Sequence, residues 1–218
     1  MCNFRFLLRM ASLTSLLVMA SSCSRKEAGK TFIQIKGSDT EVNLVQRMAE
    51  VFMEKNPQVS IAVTGGGSGT GIAALINKKT DIANSSRPMK KDEIEQSKAG
   101  GVEPVGIIFA VDGTAIIANQ STTVDSLTLE NLAKIFKGEI TNWNEVGGSD
   151  MAISIYGRQS NSGTYVYIRD NILKGDFSPH ARQMNGNAQI IEAVRKDKAS
   201  IGYAVSYTHL TLPTNREV

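Results

Sequence analysis

The strongest constraint on this chain is an alternation of short β-rich runs with helical stretches along most of its length. Thr31-Phe-Ile-Gln-Ile-Lys36 alternates as a strand and leads into a helix over Thr40 to Lys55. Leu44, Val45, Met48, Val51 and Phe52 mark one face of that helix, and Asn56-Pro57 stops it. Val59 to Thr64 reads as a second strand. The glycine-rich Gly65 to Gly71 then turns into a helix over Ile72 to Asn77. Asp81 to Asn84 is a short third strand, Lys91 to Ala99 a charged helix, and Val105 to Val111 a nearly continuous apolar strand. A second region repeats the pattern. Thr128 can cap a helix over Leu129 to Phe136, Ile153 to Tyr156 is a strand, Thr164 to Leu173 and Ala188 to Lys196 are helices, and Ile201 to Val205 is a buried strand. Such alternation predicts an α/β fold with parallel sheets covered on both faces. The expected lobes are residues 31–110 and 111–205, linked by a strand that crosses between them.

Three short triplets recur at the junctions. Ser38-Asp39-Thr40, Ser68-Gly69-Thr70 and Ser162-Gly163-Thr164 each sit where a strand or glycine turn meets a helix. A helix N-terminus leaves backbone N–H groups unsatisfied and carries partial positive charge. Ser and Thr hydroxyls can add donors there, and Gly lets the backbone come close. A tetrahedral oxyanion, with several acceptor oxygens, suits such a cluster. Any one triplet alone is more simply an N-cap; three at strand C-terminal ends fall where ligands bind in open α/β sheets.

Other chemistry fits the spacing poorly. Gly65-Gly-Gly-Ser-Gly-Thr-Gly71 lacks the Lys of a P-loop and does not satisfy G-x-G-x-x-G in any register. Neither Ser68 nor Ser162 lies in G-x-S-x-G, and His180, after Ser178-Pro179, reads as a solvated loop residue. No His/Cys/Asp cluster has metal-ligand spacing, so no metal and no cofactor are expected. A formal charge of +3 without a long Lys/Arg run gives no footprint for nucleic acid. Arg158 follows a strand and closely precedes Ser162, from where its guanidinium could fork onto two anion oxygens. Arg87 is equally readable as a surface residue, and Trp143 reads as a loop anchor in the second lobe.

The two ends differ from this body. Arg5 and Arg9 precede a short apolar run from Met10 to Ala20, and Ser21-Ser22-Cys23 follows. This reads as a secretory signal over residues 1–22, too short to span a bilayer. The arrangement resembles a bacterial lipobox, which implies lipidation of Cys23 and a polar tether over residues 23–30; a plain cleaved signal is the alternative. Cys2 falls in the removed segment, so no disulfide is expected in the body. Residues 206–218 lack periodicity, and Val205 to Thr214 resembles the translated read-through of a sequencing adapter. That implies a non-native tail and a fold incomplete at its C-terminus. Without both ends the formal charge falls to +1, because Arg5, Arg9, Arg216 and Glu217 leave.

Five motifs occur in order: Lys36-Gly-Ser-Asp-Thr40, Gly65 to Gly71, Asp81-Ile-Ala-Asn-Ser-Ser-Arg-Pro88, Leu132-Ala-Lys-Ile-Phe-Lys-Gly-Glu-Ile-Thr-Asn-Trp143 and Gly157-Arg-Gln-Ser-Asn-Ser-Gly-Thr164. From Phe32 to Ala204 the chain resembles the substrate-binding lipoproteins of high-affinity phosphate ABC transporters. The resemblance implies a two-lobed type II periplasmic-binding-protein fold that captures inorganic phosphate without catalysis. It implies delivery to an ABC permease in the inner membrane, and an extracytoplasmic location with a membrane anchor at Cys23. By that match Ser38, Asp39, Thr40, Ser68, Ser86, Arg158, Ser162, Gly163 and Thr164 are the expected phosphate ligands. Some relatives place at Ser86 an Asp that accepts the phosphate proton; Asp39 is expected to take that role here. The alternatives are a binder of another tetrahedral oxyanion, a phosphatase-like enzyme on the same scaffold, and an extracellular sensor or adhesin.

Overall fold

A computed structural model describes residues 29–205. The expectations for the signal over 1–22, for Cys23 and for the tail over 206–218 lie outside the described residues.

The first half builds a sheet from β1 (Thr31–Gly37), β2 (Val59–Thr64) and β3 (Ile82–Asn84). Its order is β2-β1-β3, with both pairings parallel, as the alternation predicts. Between these strands lie α1 (Val42–Lys55) and α2 (Ser68–Ile76), and α3 (Lys91–Ala99) follows β3. The second half contains β4 (Thr114–Ala118), α4 (Leu129–Lys137), β5 (Ser154–Arg158), α5 (Gly163–Tyr167), β6 (Arg182–Met184), α6 (Asn187–Lys196) and β7 (Ser200–Val205). Its sheet has the order β4-β7-β5-β6. A π-helical turn, Ile168–Leu173, continues α5.

The main core lies in the second half. Thr128 Oγ1 accepts from the Asn131 N–H and starts α4, and Gly138 ends it in the left-handed conformation at φ 79°. Leu132, Ile135 and Phe136 of that helix pack with Trp143, Ile155, Ile168, Leu173, Ile201 and Tyr203. Each such buried apolar side chain contributes about 1.5–3 kcal/mol. Every residue of β7 is buried, which places this strand at the centre of the second sheet.

Four expectations need correction. Val105 to Val111 forms no ladder, and Val105, Ile107, Ile108 and Val111 are all at least 80% exposed. An apolar run becomes a buried strand only where neighbours flank it, and none among the described residues does. The second sheet is not wholly parallel, because β4 runs antiparallel to β7. No helical crossover delivers β4 into that sheet, so the rule tying alternation to parallel pairing does not govern it. On α1 the buried positions are Val45 and Ala49, while Leu44, Met48 and Phe52 are exposed. Periodicity marks an apolar stripe but not which edge of it meets the sheet. Finally, α2 begins at Ser68 rather than Ile72. Its glycines are poor helix formers, yet a Cβ on Gly71 would collide with the Lys36 carbonyl, so close packing on β1 requires Gly there.

Candidate functional site

The three triplets meet at the C-terminal ends of β1, β2, β3 and β5. After β1 the chain turns so that the Ser38 N–H donates to the Asn84 carbonyl at 2.8 Å, which ties the first triplet to the end of β3. Ser38, Thr40, Ser68, Arg158, Ser162, Gly163 and Thr164 are buried, while Asp39 and Ser86 are half-buried. Hydrogen bonds or close approaches link all nine expected residues but Ser162 to one another, and Ser162 adjoins Gly163 in the chain.

The capping alternative accounts for one triplet only. Ser162 is the N-cap of α5, its hydroxyl accepting from the Tyr165 N–H at 3.4 Å. Ser68 follows the N-cap Gly67 and instead accepts from the Ser86 N–H at 3.1 Å. The first helix has Glu41 as its N-cap residue, with no side-chain capping bond, so Asp39 does not cap it. The Asp39 oxygens go elsewhere: Oδ1 accepts from the Gly66 N–H at 2.6 Å and Oδ2 from Arg158 Nη2 at 2.8 Å.

Arg158 carries the positive charge of the cluster. It is 1% exposed, and besides Asp39 it donates to Thr40 Oγ1 at 3.4 Å and to the Asn187 side-chain carbonyl at 3.5 Å. Its own backbone N–H donates to the Tyr203 hydroxyl at 2.9 Å. Tyr203 lies in the aromatic group with Phe136 and Phe177, and burial pushes its hydroxyl pKa up, so it stays protonated.

The sheets are joined across the cluster. Thr40 Oγ1 and Thr164 Oγ1 are 3.3 Å apart. Asn161 Nδ2 donates to the Gly66 carbonyl at 2.9 Å and to Thr70 Oγ1 at 3.1 Å, while the Asn161 backbone carbonyl accepts from the Gly69 N–H at 2.9 Å. Gly163 is held so tightly that an added Cβ would lie 2.7 Å from Ser68 Oγ and 3.0 Å from Ser86 Cβ. The hydroxyls of Ser38 and Ser86 share a hydrogen bond. Beside Asp39 a groove of about 300 Å³ opens between Val42, Asn43, Asn185 and Asn187.

Other residues fall outside the cluster. Arg87 makes a two-pronged ion pair with Glu93 at 2.6 and 2.8 Å, which fixes the start of α3. Trp143 is fully buried and donates from Nε1 to the Ala199 carbonyl, a loop anchor as expected. His180 is exposed. Among the described residues, no group of three His, Cys, Asp or Glu is placed to hold a metal, and no helix is long and apolar enough to cross a membrane.

Three residues of the site carry no distinctive sequence signal. Glu41 directly follows the first triplet and reads as part of the helix start. Asn161 lies inside the fifth motif without a chemistry of its own, and Tyr203 reads only as part of a buried strand.

The family model for the PBP superfamily domain matches residues 20–215. The chain belongs to that superfamily. It is 36% identical to the phosphate-binding protein PstS of Borreliella burgdorferi, covering 87% of this chain and 67% of that protein. It is 31% identical to the protein SphX of Synechococcus elongatus, covering 89% of this chain and 61% of SphX. Among solved structures, a chain from Clostridium perfringens with bound phosphate has a TM-score of 0.72 at 30% identity, covering 81% of this chain and 71% of that one. An ABC-type phosphate transport receptor from Vibrio cholerae has a TM-score of 0.63 at 31% identity, covering 79% and 70%. The α/β architecture is thus that of the periplasmic-binding proteins. The chain spans between about half and two thirds of the length of the curated relatives it matches.

Proposed function

We propose that this protein captures inorganic phosphate outside the cytoplasm and passes it to an ABC-transporter permease, anchored to the membrane through a lipid on Cys23. The observation that carries the reading is the buried Arg158 guanidinium at the junction of two sheets, where it donates to Thr40 Oγ1, which in turn lies against the Thr164 hydroxyl. A cation held this deeply, beside hydroxyls that can also donate, suits an anion with several acceptor oxygens. The relatives named above include phosphate-binding and phosphate-transport proteins, which supports phosphate as the anion.

In this reading Ser38, Asp39, Thr40, Ser68 and Ser86 line the first lobe's side, and Arg158, Ser162, Gly163 and Thr164 the second's. Phosphate docks on one side and the other closes over it, with fixed donors replacing its water. The contacts of Asn161 with Gly66, Gly69 and Thr70 then act as the latch of the closed form. Capture involves no bond making, so the protein is not an enzyme. Calorimetric titration with inorganic phosphate tests the reading. Saturable binding that Arg158→Met abolishes is expected; a protein that takes up no phosphate, or one that turns over phosphate esters, overturns it.

A further inference from the structure

Resting on the phosphate reading, we propose that the site also takes phosphate monoesters whose small, uncharged, hydroxyl-bearing substituent lies in the groove beside Asp39. That groove has a volume of about 300 Å³, and cavities of this size hold small organic ligands. Inorganic phosphate alone would leave most of it unfilled. The groove adjoins the anion position through Arg158. Nη2 donates to Asp39 Oδ2 at 2.8 Å and Nη1 to Asn187 Oδ1 at 3.5 Å, and both acceptors line the groove. An anion drawn to that end of the guanidinium therefore lies at the groove's inner end. The opposite side of the cluster has no such room, because even a Cβ added to Gly163 would lie 2.7 Å from Ser68 Oγ and 3.0 Å from Ser86 Cβ. A substituent on the anion has its way out along the groove.

The chemistry of the lining selects the substituent. Three carboxamides of the second half have their oxygens engaged already. Asn185 Oδ1 accepts from Gln159 Nε2 at 3.2 Å, Asn187 Oδ1 from Arg158, and Gln189 Oε1 from the Asn185 N–H at 2.9 Å. What each amide can still offer a ligand is its NH₂ group, a donor without charge, and a hydroxyl oxygen accepts from such a group. The hydroxyl hydrogens find acceptors across the groove, in the Asp39 carboxylate and the exposed Asn43 carboxamide, and Val42 supplies apolar contact for the carbon skeleton. Asp39 is the one charged residue of the lining. A substituent ending in a carboxylate or a second phosphoryl group would meet its repulsion and find no second cation there, whereas a neutral polyol meets no such penalty.

The test titrates the full chain by calorimetry with inorganic phosphate and with glycerol phosphate. Wild type is expected to bind both, the ester intact, and excess inorganic phosphate should displace the ester from the shared anion position. Asn43→Trp, at an exposed position, fills the groove with an indole. It should weaken glycerol phosphate binding by about tenfold or more and leave the affinity for inorganic phosphate unchanged. Gln189→Met removes one donor at similar size and should weaken the ester alone by about threefold to tenfold, the scale of one hydrogen bond. Circular dichroism checks that both variants are folded. Wild type that binds inorganic phosphate but no glycerol phosphate overturns this inference and leaves the function standing; wild type that binds neither overturns both. Equal losses for the two ligands in folded Asn43→Trp, or an ester that inorganic phosphate does not displace, put the substituent elsewhere and overturn the inference as well.

Discussion

Arg158 Nη2 lies 2.8 Å from Asp39 Oδ2, an ion pair between residues 119 positions apart that joins the end of β5 to the turn after β1. The guanidinium is almost wholly buried and the carboxylate is 20% exposed, so the pair sits at the edge of the cluster rather than in a dry core. The carboxylate offsets part of the cost of burying the cation, and it orients the guanidinium so that its other N–H groups reach Thr40, Asn187 and Gln159. Arg158→Met should therefore abolish phosphate binding while leaving the chain folded, since the Asp39 carboxylate left behind is 20% exposed and keeps its bond from the Gly66 N–H. Asp39→Asn removes the partner and keeps the cation. It should lower stability by about 3 kcal/mol at most, because residual exposure lets water substitute in part. Thermal melts and phosphate titrations of both variants check this; equal loss of stability in the two contradicts it.

Gly163 offers a sharper test of closure, because its two effects have opposite signs. It lies in the first turn of α5 at an ordinary helical φ, where Ala is a better helix former by about 1 kcal/mol. An added Cβ, however, would meet Ser68 and Ser86 at 2.7 and 3.0 Å across the interface between the sheets. Gly163→Ala is expected to weaken phosphate binding by about tenfold to a hundredfold, on the basis that overpacking costs about 1–3 kcal/mol. The melting temperature without phosphate should hold or rise. Undiminished binding would falsify the view that this contact belongs to the ligand-bound form.

Much of the architecture was legible because local chemistry agreed with the global arrangement. Lys91–Ala99 and Val59–Thr64 have the bounds their periodicity sets, and Thr128 caps α4 as its residue type suggests. The triplets were readable for the same reason: hydroxyls and glycines at strand-to-helix junctions have few other uses. What was not readable depends on contacts distant in sequence. Asn161 joins the two halves only because the glycine turn of another sheet comes to meet it, and the fate of Val105–Val111 depends on which strands flank it. Glu41 was hidden by its position, where a carboxylate at a helix start is ordinary. Its burial beside Ser86 is a property of the fold.

Tyr203 holds Arg158 in place through the backbone rather than the side chain. The Arg158 N–H donates to its hydroxyl at 2.9 Å, and both residues are buried. Tyr203→Phe keeps the ring among Phe136 and Phe177 but leaves that N–H without its acceptor. The expected cost is about 1–3 kcal/mol. For a chain of this size, that lowers Tm by about 2–4 °C per kcal/mol. Differential scanning calorimetry of the ligand-free protein measures it. Phosphate affinity should fall as well, since the end of β5 is free to shift; a variant with an unchanged Tm contradicts the role of the hydroxyl.

Glu41 makes the stability of the ligand-free protein depend on pH in a definite direction. Burial, with a smaller contribution from Asp112, raises its pKa above the ordinary Glu value, although the Ser86 hydroxyl pulls the other way. A carboxyl whose pKa is higher folded than unfolded binds its proton more tightly in the native state. In the window from the ordinary Glu pKa up to the raised one, the native state therefore holds more protons, and stability falls as pH rises through it. Above the window the ionised, buried carboxylate is a standing cost. Glu41→Gln, which cannot ionise, should remove that slope and leave the ligand-free protein at neutral pH as stable as wild type or more so. Urea unfolding at a series of pH values, without phosphate or sulfate, separates the outcomes. If the variant is less stable than wild type at neutral pH and more sensitive to its rise, the Glu41 carboxylate is a stabilising partner in the fold instead of a standing cost.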